Sequence, residues 1–444
     1  MEYKRYSQYM DSGIEWLGEL PKHWSTASMR WITERYAGGT PDKRNKDYWE
    51  NGTIPWLNSG AVNQGTITEP STYITEDAFL NSSAKWVPKR ALLMALAGQG
   101  KTKGMVAQTN IRTTCNQSMA AIVPYGIIPR YLFWWLSSQY RNIRGLAGDG
   151  LRDGLNLEML GSIPCPLPNI DEQESITTLL DHETSRIDAL IEKKQRLIEL
   201  LKEKRQAVIT QAVTKGLDPN APMKDSGVEW LGEVPEHWEE CRLKVLFGIK
   251  HGYAFDSAVF SDTGEFILMT PGNFKECGGF RHKVPEKFYR SEEIPTEFIL
   301  DPGQLLVAMT EQGPGLLGSA LFVPFDGVYL HNQRLGLLTH IRDDKVSKQY
   351  LFHLFNSSRY RAEISVSSTG AKVKHTSPEK ILSTKVWLPP IKEQESIAQF
   401  LNGQLAKIDS IEAKVEDAIK LLQEHRSALI TAAVTGQIDV CHTA

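Results

Sequence analysis

The sequence lacks the features of membrane, secreted and metal-binding proteins. No apolar run approaches the roughly 18 residues that a membrane-spanning helix needs, and the first residues, MEYKRYSQYM, lack the apolar core of a signal peptide. The 5 cysteines among 444 residues are scattered and never form a CxxC pair, so the sequence indicates neither a disulfide framework nor a zinc site. We expect a cytoplasmic protein without a bound metal.

Catalytic patterns are also missing. No GxGxxG motif directly follows a predicted strand, there is no HExxH or GxSxG motif, and the 11 histidines do not cluster at metal-ligand spacing. The segment Ala95–Thr102, ALAGQGKT, matches a permissive phosphate-binding loop, but residues 103–106 indicate a turn into a strand rather than a helix. The equivalent segment of a second copy, TEQGPGLLG from Thr310, lacks the lysine. We expect no catalysis by this chain; the alternative is a nucleotide-hydrolysing or nuclease enzyme that uses the Ala95–Thr102 loop.

The net charge of −3 hides an uneven distribution. Residues 25–168 contain 15 Lys or Arg against 10 Asp or Glu, and residues 241–390 contain 18 against 15, so both blocks are basic. Residues 217–240 contain 1 basic and 7 acidic side chains. A mild positive excess is as typical of a solvated surface as of nucleic-acid binding, so charge alone leaves both interpretations open.

The chain contains two copies of one pattern. DSGIEWLGELPKHW, at Asp11–Trp24, returns as DSGVEWLGEVPEHW at Asp225–Trp238, with 11 of 14 residues identical. Further along, YLFWWLSS pairs with YLFHLFNSS, and EQESI from Glu172 pairs with EQESI from Glu393. Because the order is kept while the offset drifts by a few residues, we infer a duplicated domain with small loop insertions.

The end of each copy is predicted to be a long helix. Apolar residues recur every seven positions, with Lys194 as the exception and with Leu190 and Leu197 at intermediate positions, which is typical of a coiled coil. The coiled-coil residues are Leu180, Ile187, Leu201, Val208, Leu401, Ile408, Val415, Leu422 and Leu429. Each segment follows prolines and stops at Gly216 or Gly436. Some 40 residues make a rod of roughly 60 Å, and two rods most simply pack on each other; the alternative is a surface helix on its own domain.

The front of each copy looks mixed and β-rich, so the predicted fold class is α+β. One amphipathic helix per copy is expected near residues 129–143 and 347–364. Short apolar runs bounded by Gly and Pro are predicted strands: Ala91–Ala97, Met119–Val123, Leu305–Met309 and Leu335–Leu338.

Glycine-rich loops with basic and amide side chains favour nucleic-acid recognition, because Arg and Lys bond guanine edges and phosphates while Asn and Gln suit adenine. Solvated loops are an equally good interpretation of any single one. The candidate DNA-contacting residues are Lys101, Lys103, Arg112, Arg144, Arg152, Asn156, Lys250, His251, Arg334, Lys372, Lys374 and His375. Two repeated pairs, Asn116-Gln117 and Asn332-Gln333, recur where other loops differ, so we favour a loop-holding role for them over base reading.

These features resemble the specificity subunits of type I restriction-modification systems. The resemblance spans nearly the whole chain and rests on the paired WLGE-P-HW segments, the paired P-x-x-EQ-x-x-I starts of the long helices, and their AVT-G ends at Ala212–Gly216 and Ala433–Gly436. It implies two β-rich α/β target-recognition domains on double-stranded DNA, each binding one half of a split asymmetric site. The two long helices between them would pack as an antiparallel coiled coil, giving a pseudo-twofold internal repeat.

The resemblance also implies a division of the chain and a set of partners. Residues 1–168 and 217–390 would be the recognition domains, and residues 169–216 and 391–444 the spacer helices. Two modification (methyltransferase) subunits and restriction (motor-nuclease) subunits would dock on this frame. S-adenosylmethionine, ATP and Mg would belong to those partners, with no cofactor in this chain. A third interpretation is a coiled-coil scaffold without DNA contact.

Overall fold

The computed structural model describes residues 4–98, 100–148, 154–275, 277–282, 286–290, 294–311, 315–370 and 373–441. Within that part, the chain forms two compact units. The first combines Met1–Lys193 with Ala418–Ala444, and the second is the continuous stretch Lys194–Asp417. Each unit therefore contains parts of both long helices.

The first unit is mixed: the described residues before the first long helix form short strands and four short α-helices. Its strands are β1 (Tyr9–Asp11), β2 (Glu19–Pro21), β3 (Ser25–Ser28), β4 (Thr33–Ala37), β5 (Ile54–Leu57), β6 (Thr66–Ile67), β7 (Thr72–Ile74), β8 (Leu92–Ala95), β9 (Val106–Thr109), β10 (Thr114–Cys115), β11 (Met119–Pro124) and β12 (Pro164–Leu167). The helices of this part of the chain are α1 (Glu76–Leu80), α2 (Pro129–Ser138), α3 (Tyr140–Gly145), α4 (Leu157–Ser162) and the long α5 (Ile170–Lys215).

The second unit repeats this composition. Its strands are β13 (Met223–Asp225), β14 (Glu233–Pro235), β15 (Glu239–Arg242), β16 (Gly248–His251), β17 (Phe260–Ser261), β18 (Phe266–Met269), β19 (Phe288–Tyr289), β20 (Ile299–Leu300), β21 (Leu305–Ala308), β22 (Thr310–Glu311), β23 (Ala320–Phe322), β24 (Val328–His331), β25 (Leu335–Thr339), β26 (Lys374–His375) and β27 (Lys385–Leu388). The helices are α6 (Lys348–Phe355), α7 (Ser358–Val366), α8 (Pro378–Ser383) and the long α9 (Ile391–Val434).

Both units are built on the same antiparallel core sheet. In the first unit the strand order is β4-β11-β8-β9, with β6 added parallel to β9; in the second it is β16-β25-β21-β23. The four predicted strands are confirmed as β8, β11, β21 and β25. The strand β8 is buried along its whole length because its alternate residues enter two hydrophobic clusters, Leu92 and Met94 one, Leu93 and Ala95 the other. A shared core under different loops is what a duplication produces.

The predicted amphipathic helix is broken into two in each unit, so the single-helix prediction is corrected. The helix α6 ends at Phe355, because the side chain of the next residue, Asn356, bonds the backbone of Ala320. Asn356 Oδ1 accepts from the Ala320 N–H at 2.9 Å, and Asn356 Nδ2 donates to the Ala320 carbonyl at 3.1 Å. Ser357 then caps a new helix through its hydroxyl and the Tyr360 amide. In the first unit the break falls at Gln139, between α2 and α3.

The two long helices have the ends that the sequence predicts. The first helix, α5, begins after Pro168 with a reciprocal cap, since Asn169 Oδ1 accepts from the Glu172 amide at 2.9 Å and Glu172 Oε2 accepts from the Asn169 amide at 3.3 Å. Both helices end beside a glycine in the left-handed region, Gly216 at φ 73° and Gly436 at φ 67°. Neither spans a membrane; no described helix is long and apolar enough for that.

Within each unit, segments of the two long helices pack together. In the first unit, both guanidinium nitrogens Nε and Nη2 of Arg426 bond the Asp188 carboxylate, at 2.8 and 3.0 Å. In the second, the buried Arg205 bonds Asp409, and Glu412 lies 3.8 Å from it.

In the second unit, Gly216 at the end of α5 lies beside Glu393 at the start of α9. In the first unit, the Tyr131 hydroxyl contacts both the Pro166 carbonyl, just before α5, and the Val434 carbonyl, at the end of α9. Within each unit the two segments are therefore antiparallel.

Most of the seven-residue repeat is buried. Leu190 and Leu197, at the intermediate positions, are instead about 39% exposed, so the apolar seam is narrower than the sequence indicates. The regular coiled-coil geometry stays a prediction. The buried repeat residues are Leu180, Ile187, Leu201, Leu401, Ile408, Val415 and Leu429, with Val208 and Leu422 half-buried.

The repeated HW and EQ motifs bond each other in both units. In the first unit, His23 Nε2 and Trp24 Nε1 lie 2.8 and 3.2 Å from Glu172 Oε1. In the second, His237 and Trp238 contact the Glu393 carboxylate at 2.7 and 3.2 Å. The front segment of each copy is thus attached to the first turn of its own long helix.

The glutamine of each EQ motif holds the next element. Gln173 Oε1 accepts from the Ile128 amide at 2.8 Å, at the start of α2, and Gln394 Oε1 accepts from the Ser347 amide at 2.9 Å, at the start of α6. These amides are among the helix-terminal donors that have no intrahelical partner. The repeated motifs therefore fix where the sheet block of each unit meets the helical segments.

Candidate nucleic-acid interface

A cleft of about 710 Å³ opens in the β-rich part of the second unit. We call it the second-unit cleft. Its basic and amide residues are Arg281, Lys287, Asn332, Gln333 and Arg334. No Asp or Glu is among its lining residues in the described part of the chain, so this concave surface carries positive charge that no lining carboxylate offsets.

Aromatic rings form one wall of the second-unit cleft. Phe255 and Phe260 line it, and both pack edge-on against Tyr289, with ring centroids 4.9 and 6.2 Å apart. The ammonium of Lys287 lies 5.4 Å from the Phe260 ring centroid, within the range of a cation–π contact. Cations, amides and aromatic faces on one concave surface are the groups that bind phosphates and base edges.

Three predicted DNA-contacting residues of the second unit lie at or beside this cleft. Arg334 lines it from the turn between β24 and β25, and its side chain is exposed. His375 and Lys374 form β26, which pairs with β22 at the cleft residue Thr310; His375 Nδ1 lies 3.0 Å from the Thr310 hydroxyl. Lys374 is less available because its ammonium donates to the Ser365 hydroxyl.

Two further predicted residues of the second unit lie on a neighbouring strand. Lys250 and His251 end β16, but the Lys250 ammonium donates to the Glu297 carbonyl at 2.7 Å and lies 4.6 Å from the Phe298 ring. His251 is exposed. Lys372 lies outside the described residues.

In the first unit, the loop between β8 and β9 presents one of its two predicted lysines. Lys101 is exposed, and its carbonyl accepts from the Tyr140 hydroxyl at 2.6 Å. Lys103 is only 6% exposed, and its ammonium donates to the Gly148 carbonyl at 3.1 Å, so it holds two loops together rather than facing a phosphate. Arg112 is exposed, with its guanidinium 4.0 Å from the centroid of the Trp86 ring.

The remaining first-unit predictions fall on the segment after α2. Arg144 donates weakly to the Lys103 carbonyl and the Tyr140 hydroxyl, at 3.5 and 3.3 Å. Asn156 caps α4, accepting from the Met159 amide at 2.9 Å. Arg152 lies outside the described residues. Among the described residues of this group, Lys101, Lys103 and Arg144 lie together through Tyr140 and the Lys103 carbonyl.

The two repeated Asn-Gln pairs share a backbone geometry. Asn116 Oδ1 accepts from the Ser118 amide at 3.1 Å, and Asn332 Oδ1 accepts from the Arg334 amide at 3.0 Å. A glycine approaches each asparagine: a Cβ added at Gly38 would lie 2.4 Å from the Asn116 carbonyl oxygen, and one at Gly252 would lie 2.2 Å from that of Asn332. Both asparagines therefore form the same tight turn.

The glutamines of these pairs differ. Gln117 Oε1 accepts from the Thr40 hydroxyl, which ties its side chain to the loop. Gln333 lines the second-unit cleft, and its side-chain amide has no hydrogen bond to the described residues; only its backbone N–H is bonded, to the Tyr253 carbonyl at 2.9 Å. The glutamine of the repeated pair is therefore bonded to a loop in the first copy and lines a cleft in the second.

Sequence reasoning missed most of the second-unit cleft. Phe255, Phe260, Arg281 and Lys287 were not among the predicted residues. The available signal was the basic stretch RHKVPEKFYR at residues 281–290, which carries four Lys or Arg against one Glu. A second missed surface, in the first unit, is a cleft of about 700 Å³ that contains Arg90 and Arg130 but also two carboxylates, Glu174 and Asp181.

Comparison with known families decides the relationship. The model of the type I restriction modification DNA specificity domain matches residues 21–200 and again residues 235–421. The two matches cover most of the chain, one in each repeat. The chain belongs to this family.

Relatives of this specificity-domain protein include specificity subunits. The EcoR124I/EcoR124II specificity subunit of Escherichia coli is 31% identical over 205 residues, which is 45% of this chain and half the length of that subunit. The StySPI specificity subunit of Salmonella potsdam is 22% identical over 437 residues, covering 95% of this chain and 90% of the relative. The recognition of a specificity subunit from the sequence motifs is confirmed.

Two solved structures share the fold of this chain. A chain from a study of complex assembly and conformational transition of the type I R-M system matches with a TM-score of 0.69 at 15% identity, over 94% of this chain and 98% of that one. The HsdS subunit of Thermoanaerobacter tengcongensis matches with a TM-score of 0.51 at 16% identity, again over 94% and 98%. The predicted class, two β-rich α/β blocks with two long helices and an internal repeat, is confirmed.

The specificity-domain fold leaves no phosphate-binding loop at Ala95–Thr102. The segment follows β8 and leads into β9, which pairs antiparallel with β8, and no helix begins in the described residues between them. A phosphate-binding loop needs a helix N-terminus after it, so the alternative of a nucleotide-hydrolysing or nuclease enzyme is not supported. No group of three or more His, Cys, Asp or Glu could hold a metal ion within the part of the chain that the structure describes.

Proposed function

We propose that this chain is the non-catalytic, DNA-reading subunit of a cytoplasmic type I restriction-modification complex and that it reads a bipartite, asymmetric site. The observation that carries the proposal is the duplication: one core sheet occurs twice, while the surfaces that could meet DNA differ between the copies. Two different surfaces in one chain can read two different half-sites, whereas identical surfaces would read a repeat of one sequence.

In this proposal residues 1–168 and 217–390 are the recognition domains, and residues 169–216 and 391–444 supply the spacer helices. Two modification subunits dock on the frame and methylate DNA with S-adenosylmethionine, and restriction subunits use ATP and Mg to cleave unmodified DNA. This chain supplies the sequence recognition. Because both blocks are only weakly basic, the partners provide much of the phosphate contact, and the isolated chain binds DNA poorly.

Exchanging one recognition block is the direct test. Replacing residues 25–168 with the block of a relative is expected to change one half-site of the methylated sequence and to leave the other half-site and the gap intact. The matched control replaces residues 241–390 and should change only the other half. Base-resolution methylation mapping in a host that also expresses the modification subunit gives the result. An unchanged target in both hybrids would favour a scaffold without DNA contact.

The long helices are proposed to set the gap between half-sites. Inserting one heptad after Lys193 in α5 and one after Asp417 in α9 lengthens both helices by about 10 Å, so the gap should grow by about three base pairs. Both helices are extended together because their antiparallel pairs would otherwise lose register. The same seven residues inserted in the connector 217–222 should leave the gap unchanged. A constant gap in the helix variant, read by methylation mapping, would contradict the ruler.

A further inference from the structure

One side chain of the second-unit cleft differs from its equivalent in the first unit, because only the first-unit side chain is hydrogen-bonded to other described residues. Gln333 and Gln117 occupy the same repeat position, after the turn-forming Asn332 and Asn116. Gln117 accepts a hydrogen bond from Thr40, whereas the side-chain amide of Gln333 has no hydrogen bond to the described residues, and Gln333 lines the cleft. A polar group left in a concave basic surface is available to a ligand.

The backbone that carries Gln333 is held rigidly. The backbone N–H of Gln333 donates to the Tyr253 carbonyl at 2.9 Å. The backbone N–H of Arg334 donates to Asn332 Oδ1 at 3.0 Å, and that of Leu335 donates to the Asn332 carbonyl at 3.0 Å. Three hydrogen bonds over consecutive residues fix the direction in which the side chains of Gln333 and Arg334 leave the turn. A backbone turn that is already hydrogen-bonded loses less conformational freedom when a ligand binds.

The surroundings select the kind of ligand. Arg281 and Lys287 lie in the same cleft without a lining carboxylate, which suits the phosphates that flank a base. The Thr310 hydroxyl can bond a base edge, and the wall of Phe255 and Phe260 can contact the methyl group of the thymine that pairs with adenine. In the major groove, a glutamine amide matches adenine N6 and N7, and a guanidinium matches guanine O6 and N7.

We infer that Gln333 and Arg334 are specificity-determining residues of the second unit, with Gln333 contacting an adenine and Arg334 a guanine in the half-site that this unit binds. Gln117, at the equivalent position of the first unit, reads no base and supports its loop. The inference rests on the proposed function and revises the loop-holding role expected for Gln333. It makes the two copies unequal at a position where their sequences are identical.

Four single variants test the inference in the full chain, coexpressed with its modification subunit and mapped for methylation at base resolution. Gln333→Ala and Arg334→Ala should each relax one position of the same half-site, with discrimination falling roughly 5- to 150-fold at that base pair. Gln333→Glu should replace the preference for adenine with one for cytosine, because a carboxylate accepts from cytosine N4. Gln117→Ala is the matched control and should leave both half-sites unchanged.

The outcomes separate this inference from the proposed function. If the unaltered chain directs methylation of a split site and the Gln333 and Arg334 variants keep that site in full, the inference is wrong while the function stands. Relaxation of the other half-site by Gln117→Ala would also overturn it. If the unaltered chain directs no split-site methylation, the proposed function itself fails. Competition between duplexes that differ at one base pair, measured with the purified complex, gives the same comparison for variants that methylate too weakly to map.

Discussion

Trp24→Ala is expected to lower the free energy of unfolding of the first unit by about 3–5 kcal/mol, the usual cost of deleting a buried tryptophan. Trp24 is 2% exposed, and its indole nitrogen bonds Glu172 at the start of α5. The substitution therefore leaves a cavity and removes one of the contacts that attach the front segment to the helix. Trp238→Ala should have the same effect in the second unit, where Trp238 is 1% exposed and bonds Glu393.

Hydrogen exchange followed by mass spectrometry checks this result, because it reports protection segment by segment. Loss of protection should concentrate in the unit that carries the substitution. Trp31→Ala is the matched control, since Trp31 is 72% exposed and its removal should change little. Full protection in the Trp24→Ala and Trp238→Ala chains would contradict the anchoring role of the repeated HW motif.

Acidification from about pH 7.5 to about pH 5 is expected to destabilise the second unit. Burial lowers the pKa of His331 and of His353 to about 4, and each side chain is only 1% exposed. The unfolded chain takes up a proton near pH 6.5, before the folded chain does, so stability is lost as the pH falls from about 6.5 toward 4. At pH 5 the loss is about 2 kcal/mol for each histidine.

Burial and the neighbouring groups together determine the direction of these pKa shifts. Lys250 and His251 also lower the pKa of His331. The hydrogen bonds of His331 to Leu335 and of His353 to Asn402 raise the pKa of these histidines, but by less than burial lowers it. His282 works in the opposite direction because the Glu286 carboxylate raises its pKa, but its exposure to solvent makes that contribution small.

Urea unfolding of the protein at several pH values measures the acid effect. His353→Gln should flatten the pH dependence in the second unit while keeping a donor toward Asn402, and His425→Gln, an exposed histidine on α9, should not. Equal acid sensitivity in all three proteins would show that other groups control it.

The features that the sequence predicted well are those with a local cause. The ends of α5 and α9 follow from prolines before them and glycines after them, and β8 and β21 follow from short apolar runs between turn residues. The repeated motifs could be recognised without knowing their contacts. Only the structure shows that the HW of one segment meets the EQ of another, about 150 residues away along the chain.

The candidate site was predicted less well because it depends on contacts between distant loops. The sequence indicates that Lys103 could contact DNA, but its ammonium donates to the Gly148 carbonyl and its side chain is buried. Asn356 interrupts an amphipathic pattern that continues on both sides, because it bonds Ala320 in another element. Gln117 and Gln333 carry the same local sequence signal, but the Thr40 hydroxyl bonds Gln117 whereas Gln333 lines the second-unit cleft.

The interleaving of the chain between its two units affects the order in which they fold during synthesis. The second unit is the continuous stretch Lys194–Asp417, so all of its residues are made before residues 418–444 of the first unit. The first unit also needs the end of α9, where Val434 accepts a hydrogen bond from Tyr131 and Gly436 accepts one from Tyr9. Of the two units, the one whose synthesis begins earlier is therefore completed later, and until then its apolar surface needs protection from aggregation.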